Sequence, residues 1–539
     1  MSVHRWILRS LLASPMREAV VDDQRRWKSI EIVVAAAHLA SYIERTTKTK
    51  TVGVMLPTSG FFPIAALAAW WTGRVVVPLN YLLKEEELQY VVSHCGADTI
   101  ISVTPMLDVA PTPKHVRLAL LDEMDFSGAP DPRWPASAGR DDLAALLYTS
   151  GTSGRPKGVM LSHGAITANI RQCEEHVAFT RRDSLLGVLP QFHSFGFTVL
   201  TMLPLALRLR AVFSARFIPQ KIVRLIAKEK PTVLIAIPSM YNALLAVKKA
   251  TADDLASLRL CVSGAEPLPD DVAQRFVDRF GIRINEGYGL TETAPVTNLC
   301  RPFEFAPGTV GAPVPRVHER IVDVESGVDL PAGREGEIRI KGPNVMQGYF
   351  HRPPETRAVF DGKGYFRTGD MGRLDEQGRL YVTGRIKEML IIGGENVFPR
   401  EIEETLNRHP SVSASGVVGT PDPMRGETPT AFVEIVEGQT FDEASLRSWC
   451  RERLAGYKAP REIIRVDSLP RNGAGKILRR ELREAALARL AHEKAARGAH
   501  APEEGTAEPP TQARNVLAVH ANTGNAQERT RTSTPNNRD

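Results

Sequence analysis

The chain has little cysteine, few aromatic residues and no long apolar run. Five cysteines, Cys95, Cys173, Cys261, Cys300 and Cys450, occur among 539 residues, and no two form a CxxC pair. That spacing argues against a disulfide framework or a zinc site and fits a reducing compartment, read here as the cytoplasm. Aromatic residues make up 6% and the net charge is +6. A nucleic-acid binder needs a more basic domain with aromatic platforms, so no nucleic acid is expected as a partner. The most apolar window, 61–71, is too short to span a bilayer, and Pro63 is expected to interrupt it. The first residues, "MSVHRWILRSLLASPMREA", resemble a signal or transit peptide in charge and apolarity. Arg9 breaks that run, however, and Trp6, Ile7, Leu11 and Leu12 suit one face of an ordinary first helix. Two nucleotide fingerprints are also missing. Counting a Walker A loop from Gly151 puts Pro156 where the second glycine belongs, and Lys157 is followed by Gly158. In "NEGYGLTETAP" (285–295) the third glycine of a dinucleotide fingerprint is replaced by Glu292.

A chain of this length is too long for one compact core, so two or more domains are expected. Between about residues 30 and 261, amphipathic helices alternate with short apolar strands such as "TVGVML", "VVVPL", "TIISV" and "TVLIAI". That alternation predicts a mostly parallel sheet covered on both faces. After Gly308, "GEIRIKG" and "GYFRTGDMGRLDEQGRLYVTGR" predict a β-rich antiparallel piece with glycine-bounded turns. From Glu388 the signals mix again over enough chain for a small α+β domain. Past residue 490, composition predicts a disordered tail, to which no role is assigned.

Several clusters carry chemistry. "YTSGTSGRPKG" (148–158) follows an apolar strand, and its glycines let backbone N–H groups converge on an anion. Lys157 suits a phosphate there, although a bare Ser/Gly loop would equally describe a linker. "SGAEPL" (263–268) and "NEGYGLTETAP" combine small residues, an aromatic and acids. Tyr288 suits stacking on a flat ring, while Thr291 and Glu292 suit phosphate and a divalent metal. Asp370, read as the end of a β turn in "YFRTGD", can accept two ribose hydroxyls; standing alone it would read as a turn cap. "GRIKEMLIIGGENVFPREIE" (384–403) and "LPRNGAGKILRREL" (469–482) follow, the latter presenting Lys476 in a glycine-flanked loop. The surrounding basic stretch, 451–483, reads either as a solvated face or as a surface for a polyanionic small molecule.

In this order and spacing these blocks resemble the adenylate-forming superfamily of acyl-CoA synthetases, adenylation domains and luciferases, over roughly residues 10–485. The resemblance implies an α/β fold. It would have a large N-terminal domain of two mostly parallel helix-flanked sheets plus a β-rich subdomain, and a small mobile α+β C-terminal domain. The boundaries expected are 1–385 (β-rich part about 309–385), 386–489 with a hinge near Lys387, and 490–539 for the tail. It implies ATP, Mg²⁺ and coenzyme A as cofactor and co-substrates. Thr149, Ser150, Gly151, Thr152, Ser153 and Gly154 match the loop that holds the β- and γ-phosphates, with Lys157 beside it. Ala265, Glu266 and Tyr288 match the adenine pocket, with Tyr288 stacking, and Gly264, Glu286, Gly287 and Gly289 beside them are expected to bind the nucleotide. Thr291 matches the α-phosphate contact, Glu292 the magnesium ligand, and Asp370 and Arg385 the ribose contacts. Lys387 matches the hinge, Gly393 and Gly394 the thiol-side loop, and Lys476 the lysine bridging the acid carboxylate and the α-phosphate.

The acid pocket is expected in "LPQFHSFGF", "IPSMYN", "SGAEP" and "APVTN", which are apolar and aromatic. Amino-acid-activating relatives carry an aspartate near Phe195–Phe197, and this chain has none there, which favours a lipophilic acid without an amino group. The resemblance is to fatty acyl-CoA ligases for a medium- to long-chain acid, with aryl acids as the alternative. His193 reads either as a gate on the acyl tunnel or as a satisfied buried histidine. Coenzyme A is the expected thiol acceptor; an acyl carrier protein acting in trans, or an idle nucleotide-binding scaffold, are the rivals. A lipophilic substrate would suit peripheral membrane contact, but no amphipathic anchor stands out, and the oligomeric state is not legible.

Overall fold

Short β-branched runs bounded by turn residues, with amphipathic helices between them, build the two central sheets. In the computed structural model the described residues are 1–149, 155–302, 304, 306–471 and 477–498, of which 493–498 by backbone alone. The first sheet has seven strands in the order Gly348–Tyr349, Lys157–Ser162, Leu143–Thr149, Val75–Pro78, Thr51–Val54, Thr99–Ser102 and Arg117–Leu120. The last five run parallel, and Lys157–Ser162 and Gly348–Tyr349 add antiparallel strands at one edge. The second sheet has eight strands in the order Val296–Leu299, Ile284–Gly289, Leu260–Ser263, Val233–Ala236, Ser184–Gly187, Arg210–Phe213, Glu18–Val21 and Arg26–Lys28. Its six inner strands are parallel, and an antiparallel strand closes each edge. The fully buried inner strands explain why these segments read as unbroken apolar runs.

Helices cover the faces. Glu85–Cys95 begins with three glutamates, which favour the positive end of the helix dipole, and stops at a left-handed Gly96. His163–Val177 starts at Ser162, whose hydroxyl accepts from the Ala165 amide at 3.1 Å. Pro63 does not interrupt the apolar window: it occupies the first turn of the helix Phe61–Trp71, where its missing N–H costs nothing. The first helix, Val3–Leu12, buries Val3, His4, Ile7, Leu8 and Leu11, whereas Leu12, expected on the same face, is 54% exposed. No described helix is both long and apolar enough to cross a membrane.

Beyond residue 317 the four strands His318–Val322, Gly336–Lys341, Phe366–Leu374 and Leu380–Arg385 form the antiparallel sheet. A separate five-stranded sheet follows. It contains the hairpin of Leu390–Ile392 and Glu395–Val397, the long pair Val412–Asp422 and Gly426–Ile435, and Glu462–Arg465 in parallel. Met1–Leu487 make up one compact unit. Within it the cores separate: two apolar clusters draw on residues up to Leu380, and two others on residues from Leu390 onward.

Candidate active site

The two ends of "YTSGTSGRPKG" lie on neighbouring antiparallel strands, Leu143–Thr149 and Lys157–Ser162. Tyr148 lies opposite Gly158 and Thr149 opposite Lys157. Ser150, Gly151, Thr152, Ser153 and Gly154 lie outside the described residues. A Cβ on Gly158 would stand 3.1 Å from Tyr148 Cζ, so the glycine lets the Tyr148 ring fold onto the partner strand. The Tyr148 hydroxyl reaches Nδ1 of His94 at 2.7 Å. Burial pushes the phenol pKa up and lowers that of the imidazole, so Tyr148 is the donor.

The strand Ile284–Gly289 carries the second cluster to the carboxyl edge of the second sheet, where open α/β sheets bind ligands. A Cβ on Gly289 would lie 2.0 Å from the Pro295 carbonyl oxygen, so only glycine fits there. Ala265 adopts φ +70°, unusual for alanine and characteristic of constrained sites. Asp370 is not at a turn. It lies inside the strand Phe366–Leu374, opposite Arg385, because the left-handed Gly369 kinks the strand just before it. Its buried carboxylate accepts from the Tyr288 hydroxyl at 2.6 Å on one oxygen and pairs with Arg385 Nε at 2.9 Å on the other. Arg385 is raised first by the Asp370 charge. Tyr288 is pushed well above the ordinary phenol value, chiefly by burial and then by Asp370, so its ring stays neutral.

Thr291 and Glu292 stand on the short turn Thr291–Thr293 that leaves this strand, and Ser194 meets the Thr291 hydroxyl at 3.2 Å. Burial raises the Glu292 pKa, and one carboxylate oxygen accepts from the Tyr349 hydroxyl at 2.9 Å. Lys157 Nζ stands 5.1 Å from the centre of the Tyr349 ring. Lys387 is lowered by burial first, then by Lys157 and Arg385, which records three cations crowded at one place. All three line one cavity of about 1600 Å³ together with Thr149, Gly264, Ala265, Gly287, Tyr288, Gly289, Thr291, Glu292 and Asp370. Such a concentration of positive charge in a partly desolvated cleft suits a polyanion. Glu266 and Glu286 line a neighbouring cleft of about 710 Å³ that also touches Ala265, Tyr288, Asp370 and Arg385. Glu286 accepts from the Leu268 amide at 3.3 Å, and burial lifts its pKa to about 7.

The cavity continues among apolar side chains, including Val177, Phe179, Val199, Ile235 and Met240. Part of this wall is a feature the sequence did not signal: Phe195–Met202 is a π-helix. Such wide turns are rare and concentrate at functional sites. Gly196 makes the turn possible, since a Cβ there would lie 2.0 Å from the Pro190 carbonyl oxygen. His193 lines the cavity, its Nε2 makes no hydrogen bond among the described residues, and burial lowers its pKa to about 4, so the ring is neutral. The reading of His193 as a fully satisfied buried histidine therefore fails at that nitrogen.

Lys476 lies outside the described residues; Arg471, before it, lines both the cavity and the cleft. Gly393 and Gly394 lie apart from both, exposed at the tip of a two-residue hairpin, and their positive φ values of 62° and 89° explain the glycines. Much of the basic stretch is held by the protein's own carboxylates: Arg461 by Asp422, Arg479 by Glu388 and Glu403, Arg483 by Glu427. Tyr349 and Ser194 escaped the sequence reading because a lone aromatic and a lone serine carry no spacing signal.

The chain is similar to known proteins over most of its length. Residues 9–350 match the family model described as AMP-binding enzyme, and residues 401–476 match the AMP-binding enzyme C-terminal domain. A long-chain-fatty-acid–CoA ligase of Bacillus subtilis (strain 168) is 34% identical over 499 residues, covering 84% of this chain and 89% of the relative. A feruloyl-CoA synthase of Amycolatopsis sp is 33% identical over 482 residues, covering 89% and 98%. The ATP-bound crystal structure of MatB from Rhodopseudomonas palustris superposes with a TM-score of 0.82 at 32% identity, covering 90% of this chain and 99% of that one. The family model spans well over half of the chain and the relatives cover most of it, and the chain belongs to the AMP-binding enzyme family.

Proposed function

We propose that the protein is an ATP-dependent acid:CoA ligase. It activates a lipophilic, medium- to long-chain carboxylic acid as its acyl-adenylate, releases pyrophosphate, and passes the acyl group to the thiol of coenzyme A. The observation that carries this reading is one continuous cavity, polar and cationic around Lys157, Arg385 and Lys387 and apolar toward Val177, Phe179 and Met240. At about 1600 Å³ it exceeds the ~300–1,000 Å³ of an ordinary ligand pocket, leaving room for a chain beside a nucleotide. The fatty-acid relative supports the same class. The feruloyl-CoA relative favours a second reading, an aryl acid, in the same apolar arm.

A carboxylate is a poor electrophile; joined to AMP it gains a good leaving group. The first step brings two anions together, so the protein's work is positioning and charge neutralisation. The paired strand ends at Thr149 and Lys157 receive the departing β- and γ-phosphates. Tyr288 stacks on adenine, Asp370 takes the ribose hydroxyls, and Thr291 contacts the α-phosphate. Glu292 offers one carboxylate to the cavity. That suits Mg²⁺, which typically binds one or two carboxylates plus substrate phosphates. When bound there, Mg²⁺ would neutralise phosphate charge. Lys476 is assigned the contact between acid carboxylate and α-phosphate. The thiol step then needs the Gly393–Gly394 hairpin in its place, by rotation about Lys387. His193 is assigned to the acid side, where its neutral ring can hydrogen-bond without attracting a second anion.

ATP–pyrophosphate exchange over a panel of fatty, aryl and amino acids tests the assignment. Exchange with medium- and long-chain acids is expected, and exchange confined to aryl acids would move the assignment to the second reading. Exchange with amino acids alone would refute both. Running the second half-reaction with coenzyme A and with an acyl carrier protein identifies the acceptor.

A further inference from the structure

The short segment 346–350 touches both halves of the phosphate site. Its backbone is bonded to the strand Lys157–Ser162: the Gln347 amide donates to the Met160 carbonyl at 3.0 Å and the Phe350 amide to the Gly158 carbonyl at 2.8 Å. One residue earlier, the Met346 amide donates to the carbonyl of Glu292 at 2.8 Å. The Tyr349 side chain repeats this bridge, donating its hydroxyl to Glu292 Oε1 and placing its ring under Lys157 Nζ. Tyr349 is itself fixed. It is 8% exposed, its amide donates to the Thr356 hydroxyl at 2.9 Å, and Gly348 before it sits at φ +138° with Thr356 packed where a Cβ would stand.

We propose that Tyr349 is a positioning residue that locks the Glu292 carboxylate and the Lys157 ammonium into one unit. This rests on the reading of Glu292 as the divalent-cation ligand. A phenol has one proton to give, so its bond to Oε1 fixes the carboxylate rotamer and leaves Oε2 for a cation. Hydrogen-bonded partners of this kind orient ligating carboxylates and set metal affinity. The ring face attracts the ammonium without consuming its N–H donors, so Lys157 keeps them for phosphate. The hydroxyl therefore serves the cation, and the ring serves the phosphates.

The test uses the full chain, Mn²⁺ as the probe cation, and the electron paramagnetic resonance signal of free Mn²⁺ in the presence of ATP. Tyr349→Phe is expected to weaken Mn²⁺ binding by roughly 10- to 100-fold, with metal-free ATP binding and the KM for the acid unchanged. Tyr349→Leu is expected to weaken metal-free ATP binding as well, and the phenylalanine variant thus restores that part. Thr356→Val, which frees the Tyr349 backbone, should weaken Mn²⁺ binding in a milder form and decides the matter should Tyr349→Phe fail to fold. Unchanged Mn²⁺ binding in Tyr349→Phe, beside a clear loss in Glu292→Gln, overturns the role of Tyr349 alone. No loss in Glu292→Gln overturns the assignment of the cation site and this inference with it.

Discussion

Asp370 already has two partners, and the number of places it has left makes a quantitative prediction. An ionised carboxylate offers about four lone-pair positions. The Tyr288 hydroxyl and Arg385 Nε occupy one on each oxygen. Two remain, which matches the two hydroxyls of a ribose. A hydrogen bond to a charged group contributes about 1.5–3 kcal/mol, which corresponds to roughly 10- to 150-fold in affinity. 2′-DeoxyATP and 3′-deoxyATP should each therefore lose that factor in KM for ATP–pyrophosphate exchange. In Asp370→Asn the acceptor is neutral, a hydrogen bond contributes about 0.5–1.5 kcal/mol, and discrimination should shrink to roughly 2- to 10-fold. The comparison is internal to each variant, so any loss of stability or of total activity cancels. If wild-type enzyme uses both deoxynucleotides as well as ATP, or if Asp370→Asn discriminates as strongly as wild type, the ribose assignment is wrong.

Lys476→Ala should abolish formation of the acyl-adenylate while thioester formation from supplied acyl-AMP survives; equal loss of both half-reactions would refute the role given to Lys476. Arg479→Met strips two carboxylates, Glu388 and Glu403, of their partner. A loss of roughly 2–3 kcal/mol is expected in urea unfolding, at or below the low end of the buried-pair range because the arginine is partly exposed; a loss under about half a kilocalorie would contradict it. Stability should fall on acidification below about pH 6.5, because burial lowers His163 to about 3 and His4 to about 4. Between those values and the unfolded value the unfolded state binds more protons, so stability rises with pH there and is complete above it. Urea midpoints at pH 7.5, 6 and 5 check this, and His163→Phe should flatten the slope; an equally steep slope in that variant would sink the assignment.

The parallel sheets were legible because buried strands are written as unbroken apolar runs, and Thr51–Val54, Val75–Pro78 and Thr99–Ser102 appear where such runs predict them. The glycine punctuation also carried over: "GRLDEQGRLYV" turns between two antiparallel strands at the left-handed Gly378. What escaped was anything set by partners distant in sequence. Asp370 was misplaced because local pattern cannot reveal that Arg385 pairs with it across a ladder. The pairing of the two ends of "YTSGTSGRPKG" depends on a strand, Lys157–Ser162, whose short length and leading lysine give no clear period. The π-helix depends on contacts of Gly196 with Pro190, and hydrophobicity alone does not separate it from an α-helix. Tyr349 meets Glu292 across 57 positions, beyond the reach of any motif.

The two half-reactions place opposed demands on the region after Arg385, and the arrangement there favours one of them. Arg471 lines the cavity and Ile477 lines the adjoining cleft, so the described residues on either side of 472–476 face the proposed nucleotide side. Arg479, just beyond, is anchored to Glu388, the residue after Lys387. The Gly393–Gly394 turn is exposed and lines neither space. The glycine turn and Ile477 belong to one packed body: Leu390, Ile392 and Val397 share a core with Ile402, Val417 and Ala431, while Ile477 and Leu482 pack on Val418 and Phe432 of the same sheet. A close-packed core does not let one loop slide out while another slides in. On the proposed function, bringing the glycine turn to the cavity would therefore turn the whole sheet, which the chain enters through the few residues between Arg385 and Leu390. On the same reading, the flanks Arg471 and Ile477 at the nucleotide side and the exposed Gly393–Gly394 turn belong to the adenylating step, and the thiol step would need the sheet turned.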